Sequence, residues 1–311
     1  LIRVGLVGPP ERAEIERLAI RLEERGGEAV VLDPRRDPRI ELGAGRASAC
    51  GENLAGIRSV YVADLGVPSP VAAAPGGGVD VAASLAALDA SRRRLAAWKA
   101  LLDRLARVCL VVNPPATHLL HALKPYEIAV YAAAGLPAPA TVATTDPRAL
   151  AELPGAASSA YVRKGMVGGY GHTEALPRPG SAAEAARLLE GTPLMAQERI
   201  EGDNVRAFVV GAECVGAAEV IPVDGREVDS RRGETRVRRI EPPPEAARDA
   251  VAAAGRWGMS FAAVDFMRDT RTGRFVLLEC NSAPFFVAFE ARTGIDVSGR
   301  LATHLLAKRR A

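Results

Sequence analysis

Residues 2–7 (Ile-Arg-Val-Gly-Leu-Val) form a short apolar run closed by Gly8-Pro9-Pro10, the pattern of a strand ending in a turn. From Glu11 to Glu24 the apolar positions Ala13, Ile15, Leu18, Ala19 and Leu22 recur at helical spacing, and Gly26-Gly27 stops that helix. A second strand follows at 28–33 and ends at Pro34. Strand, helix and strand in that order make a βαβ unit, which calls for a parallel, doubly wound sheet. Further strands are expected at Ser59–Ala63 and Arg107–Val112, with a Pro/Ala/Gly loop over 68–78 and a long Ala/Leu/Arg helix over 84–106 between them. The first strand-to-helix turn reads Gly5-Leu-Val-Gly8-Pro-Pro, which is neither a dinucleotide fingerprint nor a Walker loop.

The pattern changes after Asn113-Pro-Pro115. A helix is expected over 117–134 and carries Lys124; Gly135-Leu-Pro ends it before a strand at 141–144. Strands are expected at 160–164 and 194–200 with a short helix at 181–189 between them. The runs 205–210 and 214–220 read as antiparallel neighbours joined at Gly211. Residues 227–239 read as a charged loop, and 242–255 as a helix capped by Glu241 and the prolines. Residues 261–267 and 274–280 read as a hairpin, with a helix to follow.

Composition narrows the function classes. The 311 residues are 48% hydrophobic and 25% charged, an ordinary globular balance with room for two or three packed units. No run of about 18 apolar residues suggests a membrane span, and the opening strand is too short before its prolines to be a signal segment. The four cysteines, Cys50, Cys109, Cys214 and Cys280, are widely spaced, as in a reduced, cytoplasmic protein. A net charge of +3 and few aromatics give no nucleic-acid surface. His118, His121, His172 and His304 have no metal spacing. Of 40 basic residues only four are Lys (Lys99, Lys124, Lys164 and Lys308), so each lysine invites a reason why a compact ammonium was kept instead of a planar guanidinium.

Three stretches could carry chemistry. Around the turn Asp269-Thr-Arg-Thr-Gly273, strand pairing sets Asp265 opposite Glu279, with Asn281 on the same face. Val264, Phe266, Val276, Leu278 and Cys280 then form the apolar face. Opposed carboxylates stand about 5 Å apart and repel, so a cation between them is called for unless the face is simply solvated. Oxygen ligands of this kind suit Mg²⁺ shared with phosphate. The second stretch, Tyr161-Val-Arg-Lys164, runs into Gly165-Met-Val-Gly168-Gly169-Tyr-Gly171-His172. Glycines let backbone N–H groups approach a phosphate beside an ammonium, although a glycine-rich surface loop reads the same way. The third, Met195-Ala-Gln197-Glu198-Arg199-Ile200-Glu201-Gly-Asp203-Asn-Val-Arg206, puts acidic residues at a strand end and an arginine in the next strand. It suits ribose and adenine recognition, or an ordinary charged turn.

In this order the elements resemble the ATP-grasp superfamily, and within it the RimK / glutathione-synthetase-like carboxylate–amine ligases. The resemblance spans the whole chain and implies an α/β fold with three parts. Residues 1–115 would be a Rossmann-like pre-ATP-grasp domain, followed by an ATP-grasp fold of two α+β subdomains, 116–190 and 191–311. It implies that Lys124 and Lys164 contact ATP phosphates and that Gly168, Gly169 and Gly171 form a lid over them. Gln197, Glu198, Arg199 and Ile200 would line the adenine site, mainly through backbone, and Glu201 or Asp203 would meet the ribose. Asp265, Glu279 and Asn281 would hold Mg²⁺ (or Mn²⁺), and Arg206 and Arg231 would face the transferred phosphoryl group or the acyl substrate. Two departures fall where lid shape and acceptor binding are decided. Lys164-Gly165 replaces the family's Lys-Pro, and Ser282-Ala-Pro-Phe-Phe286 replaces small-Ser-Pro-Gly after the metal Asn.

The activity so implied is ATP-dependent amide formation through an acyl phosphate, with ADP and phosphate released. The partners would be small-molecule or peptide carboxylates and amines, glutamate among them, with no nucleic acid or membrane. Homodimers or homotetramers are expected from relatives. A phosphotransferase and a non-catalytic ATP-binding regulator are the alternatives on the same scaffold.

Overall fold

The structure is a computed structural model that describes residues 1–66, 80–153, 160–167, 173–223 and 235–307. Its contacts divide the chain into two compact units. One comprises 1–115, 285–290 and 296–311; the other comprises 116–284 and 291–295.

In the first unit, β1 (Ile2–Val7), α1 (Ala13–Glu23) and β2 (Gly27–Leu32) form the expected βαβ unit. A small antiparallel sheet follows, of β3 (Ile40–Leu42), β4 (Ala47–Ala49) and β5 (Glu52–Asn53). Then come β6 (Ser59–Val62), α2 (Val81–Leu105) and β7 (Leu110–Val112). The parallel sheet has the order β2-β1-β6-β7. Helix α2 starts where Asp80 caps it, its carboxylate accepting from the Ala83 N–H at 2.9 Å. The helix buries Trp98, Leu101, Leu102 and Leu105 against Leu32, Val60, Val62 and Val111.

The second unit opens differently from the expected single helix over 117–134. Residues Pro115–Ala122 form a 3₁₀ helix, and α3 starts afresh at Lys124–Ala133 with Pro125 in its first turn, where a missing N–H costs nothing. Lys124 therefore stands at a helix start and not in a helix middle. Next are β8 (Thr141–Thr144), α4 (Pro147–Ala151), β9 (Tyr161–Lys164), β10 (Glu174–Leu176), α5 (Ala182–Leu189) and β11 (Leu194–Glu198). The four strands pair antiparallel in the order β10-β9-β11-β8. Leu150, Tyr161, Ala185, Leu189, Leu194 and Ala196 form their core.

A second antiparallel sheet has the order β14-β13-β12-β15-β16, from β12 (Gly202–Val210), β13 (Glu213–Pro222), β14 (Thr235–Ile240), β15 (Phe261–Asp269) and β16 (Phe275–Asn281). Helix α6 (Pro244–Arg256) covers its apolar face. Its buried stripe is Ala246, Ala250, Ala253 and Ala254, small enough for a helix to lie close to the sheet. The cap of α6 is Pro243, with no capping hydrogen bond from a side chain, so the capping role expected of Glu241 is corrected. Gly202 is required where β12 begins, since a Cβ there would stand 2.0 Å from the Arg268 carbonyl oxygen. The expected charged loop over 227–239 is also corrected in its last part: Thr235–Ile240 pairs with β13 as an edge strand.

The chain closes with α7 (Val287–Thr293) and α8 (Val297–Leu306). Residues 285–290 and 296–311 belong to the first unit, whereas the sequence reading had placed the whole of 191–311 in one subdomain. Buried Leu301 and Leu305 of α8 are the reason, because α8 packs on α1, β1 and β6. No helix among the described residues is long and apolar enough to cross a membrane.

Candidate active site

The hairpin β15–β16 pairs Asp265 directly with Glu279 and Ala263 with Asn281, as the alternation predicts. Its turn is held by Asp269, whose carboxylate accepts from the Arg271 N–H and the Thr272 hydroxyl, both at 2.8 Å. The apolar face differs from the expected one. A bulge follows Asp265, so that Phe266 faces Leu277 and Leu278 is the extra residue. Leu277, not Leu278, is the fully buried leucine of the core.

Cations surround the acidic pair. Arg206 of β12, opposite Asp265 across the ladder, grips its carboxylate with two parallel bonds, Nε at 2.7 Å and Nη2 at 2.8 Å. Lys124 Nζ donates to Glu279 Oε2 at 2.7 Å. The Asn281 amide donates to Asp265 Oδ2 at 3.2 Å. Lys164, the last residue of β9, is close enough for its charge to act on Glu279. Burial would raise the Glu279 pKa, but the charge and hydrogen bond of Lys124, with Lys164 and Arg206, pull it well below the usual carboxylate range. Asp265 goes the other way: burial pushes it up and Glu279 adds to this, while Arg206 opposes them. Arg206 itself is held firmly protonated by Asp265, against its own burial.

One row of directly opposed residues therefore runs across the second sheet: Arg239, Ala218, Arg206, Asp265 and Glu279. All five project from the same face. Arg239, exposed on the edge strand, was hidden to sequence reading inside a supposed loop.

Glu127 was likewise missed. It is 3% exposed on α3, and its Oε1 accepts from the Tyr131 hydroxyl and the Cys280 N–H, each at 2.7 Å. Burial raises its pKa to about 7, against those two hydrogen bonds. The available signal was its spacing: Lys124 and Glu127 lie i and i+3, on one side of the helix.

Other expected residues make their hydrogen bonds elsewhere. Gln197 is buried and donates to Thr141 Oγ1 at 3.1 Å. The Glu198 and Arg199 N–H groups are already bonded to the carbonyls of Ala140 and Ala160, at 2.7 and 3.0 Å, which limits what that backbone can offer an adenine. The Ile200 side chain is half-buried beyond the end of β11. Glu201 is exposed, and its carbonyl takes the Thr270 N–H at 3.0 Å. Asp203 alternates onto the face of Val205 and Ala207, opposite to Arg206, and accepts from Arg268 at 2.6 Å. It does not join the acidic pair. Gly168, Gly169, Gly171 and Arg231 lie outside the described residues.

The donor set fits a hard divalent cation. Asp265, Glu279 and Asn281 offer only oxygens, and the Asn281 NH₂ is turned to Asp265, leaving its carbonyl oxygen for a ligand role. Among the described residues no group of three His, Cys, Asp or Glu side chains could hold a metal alone. Two carboxylates and one amide would leave the rest of an octahedral shell to other oxygens, as at Mg²⁺ sites shared with phosphates.

The architecture has counterparts among known proteins. The family model of the RimK-like ATP-grasp domain matches residues 128–305. A probable alpha-L-glutamate ligase of Cellvibrio japonicus is 32% identical over 129 residues, which is 40% of this chain and 42% of that protein. The chain thus matches less than half the length of this curated relative. Among solved structures, the ATP-grasp ligase PsnB in complex with a minimal precursor aligns over 98% of both chains, with a TM-score of 0.80 and 27% identity. The macrocyclase MdnC of Microcystis aeruginosa, bound to its precursor peptide MdnA, aligns over 99% of this chain and 100% of its own, with a TM-score of 0.75. At 18% identity, MdnC supports the fold alone. The matched segment includes every strand of the acidic row and most of the helix that presents Lys124 and Glu127, and the chain belongs to the RimK-like ATP-grasp family.

Proposed function

We propose that the chain is an ATP-dependent carboxylate–amine ligase that activates a peptide carboxylate as an acyl phosphate and joins it to an amine. The observation that carries this reading is the cluster itself: Lys124, Lys164 and Arg206 gathered around Asp265 and Glu279. Three cations against two carboxylates leave an excess of positive charge, the complement of a polyphosphate. Asp265, Glu279 and Asn281 would hold Mg²⁺, or Mn²⁺ in its place, which when bound neutralises phosphate oxygens.

The substrate carboxylate attacks the γ-phosphorus of ATP, and the bond to the bridging oxygen breaks to release ADP. The amine then adds to the acyl carbon and phosphate leaves, the amine proton passing to solvent or to phosphate. Lys124 and Lys164 bind and orient the phosphates, which requires Lys124 to exchange Glu279 for a phosphate oxygen. Arg206 holds the Asp265 carboxylate in place through two hydrogen bonds and opposes the effect of its burial. The proposed lid of Gly168, Gly169 and Gly171 would keep water from the acyl phosphate, and Arg231 would meet the transferred group. In this reading the sheet of β8–β11 serves as the first ATP-grasp subdomain and the sheet of β12–β16 as the second.

A peptide substrate is favoured by the near full-length likeness to PsnB, whose solved complexes include one with the precursor peptide PsnA2 and AMPPNP. Addition of glutamate is the second reading, supported by the Cellvibrio relative over a shorter stretch. The test is ATP turnover with Mg²⁺ and hydroxylamine, offered either free amino acids or peptides rich in Asp, Glu and Lys, with mass spectrometry of the products. A hydroxamate on a peptide side chain, or a crosslinked peptide when hydroxylamine is omitted, supports the proposal. A hydroxamate on free glutamate alone supports the second reading. ADP with a stable phosphorylated product in place of a hydroxamate points to a phosphotransferase, and ATP binding without turnover in every mixture points to a regulator.

A further inference from the structure

Strand β16 carries two of the three proposed metal ligands, yet it is an edge strand with a bulge at Leu278. Both features are liabilities for a site that needs fixed geometry. An edge strand has outward N–H groups with no neighbouring strand to bond, and a bulge gives the backbone an unpaired residue about which to shift. In an unbroken strand outward N–H groups recur every second residue. Here the extra residue sets them three apart, at Leu277 and Cys280. The Leu277 N–H is taken by the Pro137 carbonyl at 2.6 Å. The Cys280 N–H, between Glu279 and Asn281 in the chain and buried, is taken by the Glu127 carboxylate at 2.7 Å.

From this placement we infer that Glu127 is a positioning residue for the metal site, holding the Glu279–Cys280–Asn281 segment in ligand geometry through the Cys280 N–H. The inference rests on the reading of Asp265, Glu279 and Asn281 as the metal ligands. Two observations support it. Glu127 is itself fixed, because its Oε1 also accepts from the Tyr131 hydroxyl, and that oxygen accepts in turn from Trp257 Nε1 at 3.0 Å. The chain Trp257–Tyr131–Glu127–Cys280 is thus a continuous brace running from the end of α6 to the ligand strand. Secondly, the same helix reaches the strand twice within one turn, through Lys124 to the side chain of Glu279 and through Glu127 to the next backbone N–H. When Lys124 turns to a phosphate, the Glu127 contact remains as the helix's hold on the Glu279–Asn281 segment. A helix side chain here does the work of the missing sixth strand.

The test is Mn²⁺ binding to the full chain in the presence of ADP, followed by electron paramagnetic resonance, alongside thermal unfolding. Glu127→Leu is expected to raise the Mn²⁺ dissociation constant by about 10- to 100-fold, the usual effect of losing a partner that orients a ligand. Glu127→Gln, which keeps an acceptor oxygen, is expected to restore most of that affinity. Ile128→Ala, a neighbouring core truncation, should lower the thermal midpoint without weakening Mn²⁺. If Glu127→Leu does not fold, Tyr131→Phe decides, since freeing the carboxylate should still weaken Mn²⁺ by several-fold. Wild-type Mn²⁺ affinity in folded Glu127→Leu or in Tyr131→Phe, with affinity lost in Asp265→Asn, overturns the inference and leaves the ligand assignment standing. Unchanged affinity in both Asp265→Asn and Glu279→Gln overturns the ligand assignment and this inference with it.

Discussion

Asp265 and Glu279 illustrate how one residue pair takes its character from neighbours far away in sequence. Their opposition follows from the hairpin register, which the sequence shows, but their opposite pKa shifts do not: burial prevails at Asp265 against Arg206, 59 residues away, and at Glu279 the charge of Lys124, 155 residues away, prevails against burial. Asp265→Asn and Glu279→Gln are nearly isosteric, so each should leave the thermal midpoint close to wild type while lowering ATP turnover by about 100-fold or more. Full turnover in either variant would remove the site from this face of the sheet. Lys164→Arg should also fail, although it keeps the charge, because a planar fork does not replace a compact ammonium against phosphate. An unchanged KM for ATP in that variant would refute the phosphate role. The rarity of lysine in an arginine-rich chain singled out four positions, and the family resemblance chose Lys124 and Lys164 among them. No such contrast marked Glu127, one of many acidic residues and not alone in being buried; its bonds to the Tyr131 hydroxyl and the Cys280 N–H are what set it apart.

Among the elements, the bulge in β16 is where strict alternation fails as a predictor. One extra residue transfers the core position from Leu278 to Leu277 while leaving Glu279 on the site face. Leu277→Ala should therefore cost about 2–5 kcal/mol in denaturant unfolding, as buried leucine truncations do, and Leu278→Ala distinctly less. The reverse order would restore the unbroken register. In α8, His304 offers a test by pH. Its Nε2 is buried with no partner among the described residues, and burial lowers its pKa below the ordinary 6.5. The unfolded chain then takes up the proton first as pH falls, so the stability due to the neutral imidazole is complete above about 6.5 and is lost below it. Between pH 7 and pH 5, His304→Leu should lose less stability than wild type in urea titrations, and an identical loss would show that the imidazole does not titrate there. The edge strand β14 was read as loop because Thr-Arg-Val-Arg-Arg-Ile is dominated by charge. What makes it a strand is the ladder to β13, a tertiary gain that outweighs local composition.

At the scale of the whole molecule, chain order and packing order part company at the C-terminus. Residues 296–307 follow the β15–β16 hairpin in sequence but pack in the first unit: Leu301 and Leu305 are fully buried, and Ser59 Oγ donates to the Leu305 carbonyl at 2.7 Å. A chain ended at Pro284 should therefore leave segment 1–115 open to limited proteolysis while 116–284 resists it. Equal resistance of both segments would show that α8 is dispensable. The sequence alone determined the βαβ start, the antiparallel second half and the Asp265–Glu279 opposition, because each is a matter of local periodicity or turn chemistry. The tertiary structure decided what depends on contacts distant in sequence. It set the β16 bulge, the edge strand with Arg239, the Arg206 clamp on Asp265, the Glu127 brace and the return of α8 to the first unit. A bulge is selected by what each face must bury, and an edge N–H is satisfied by whatever the fold brings beside it. Neither leaves a mark at fixed spacing along the chain.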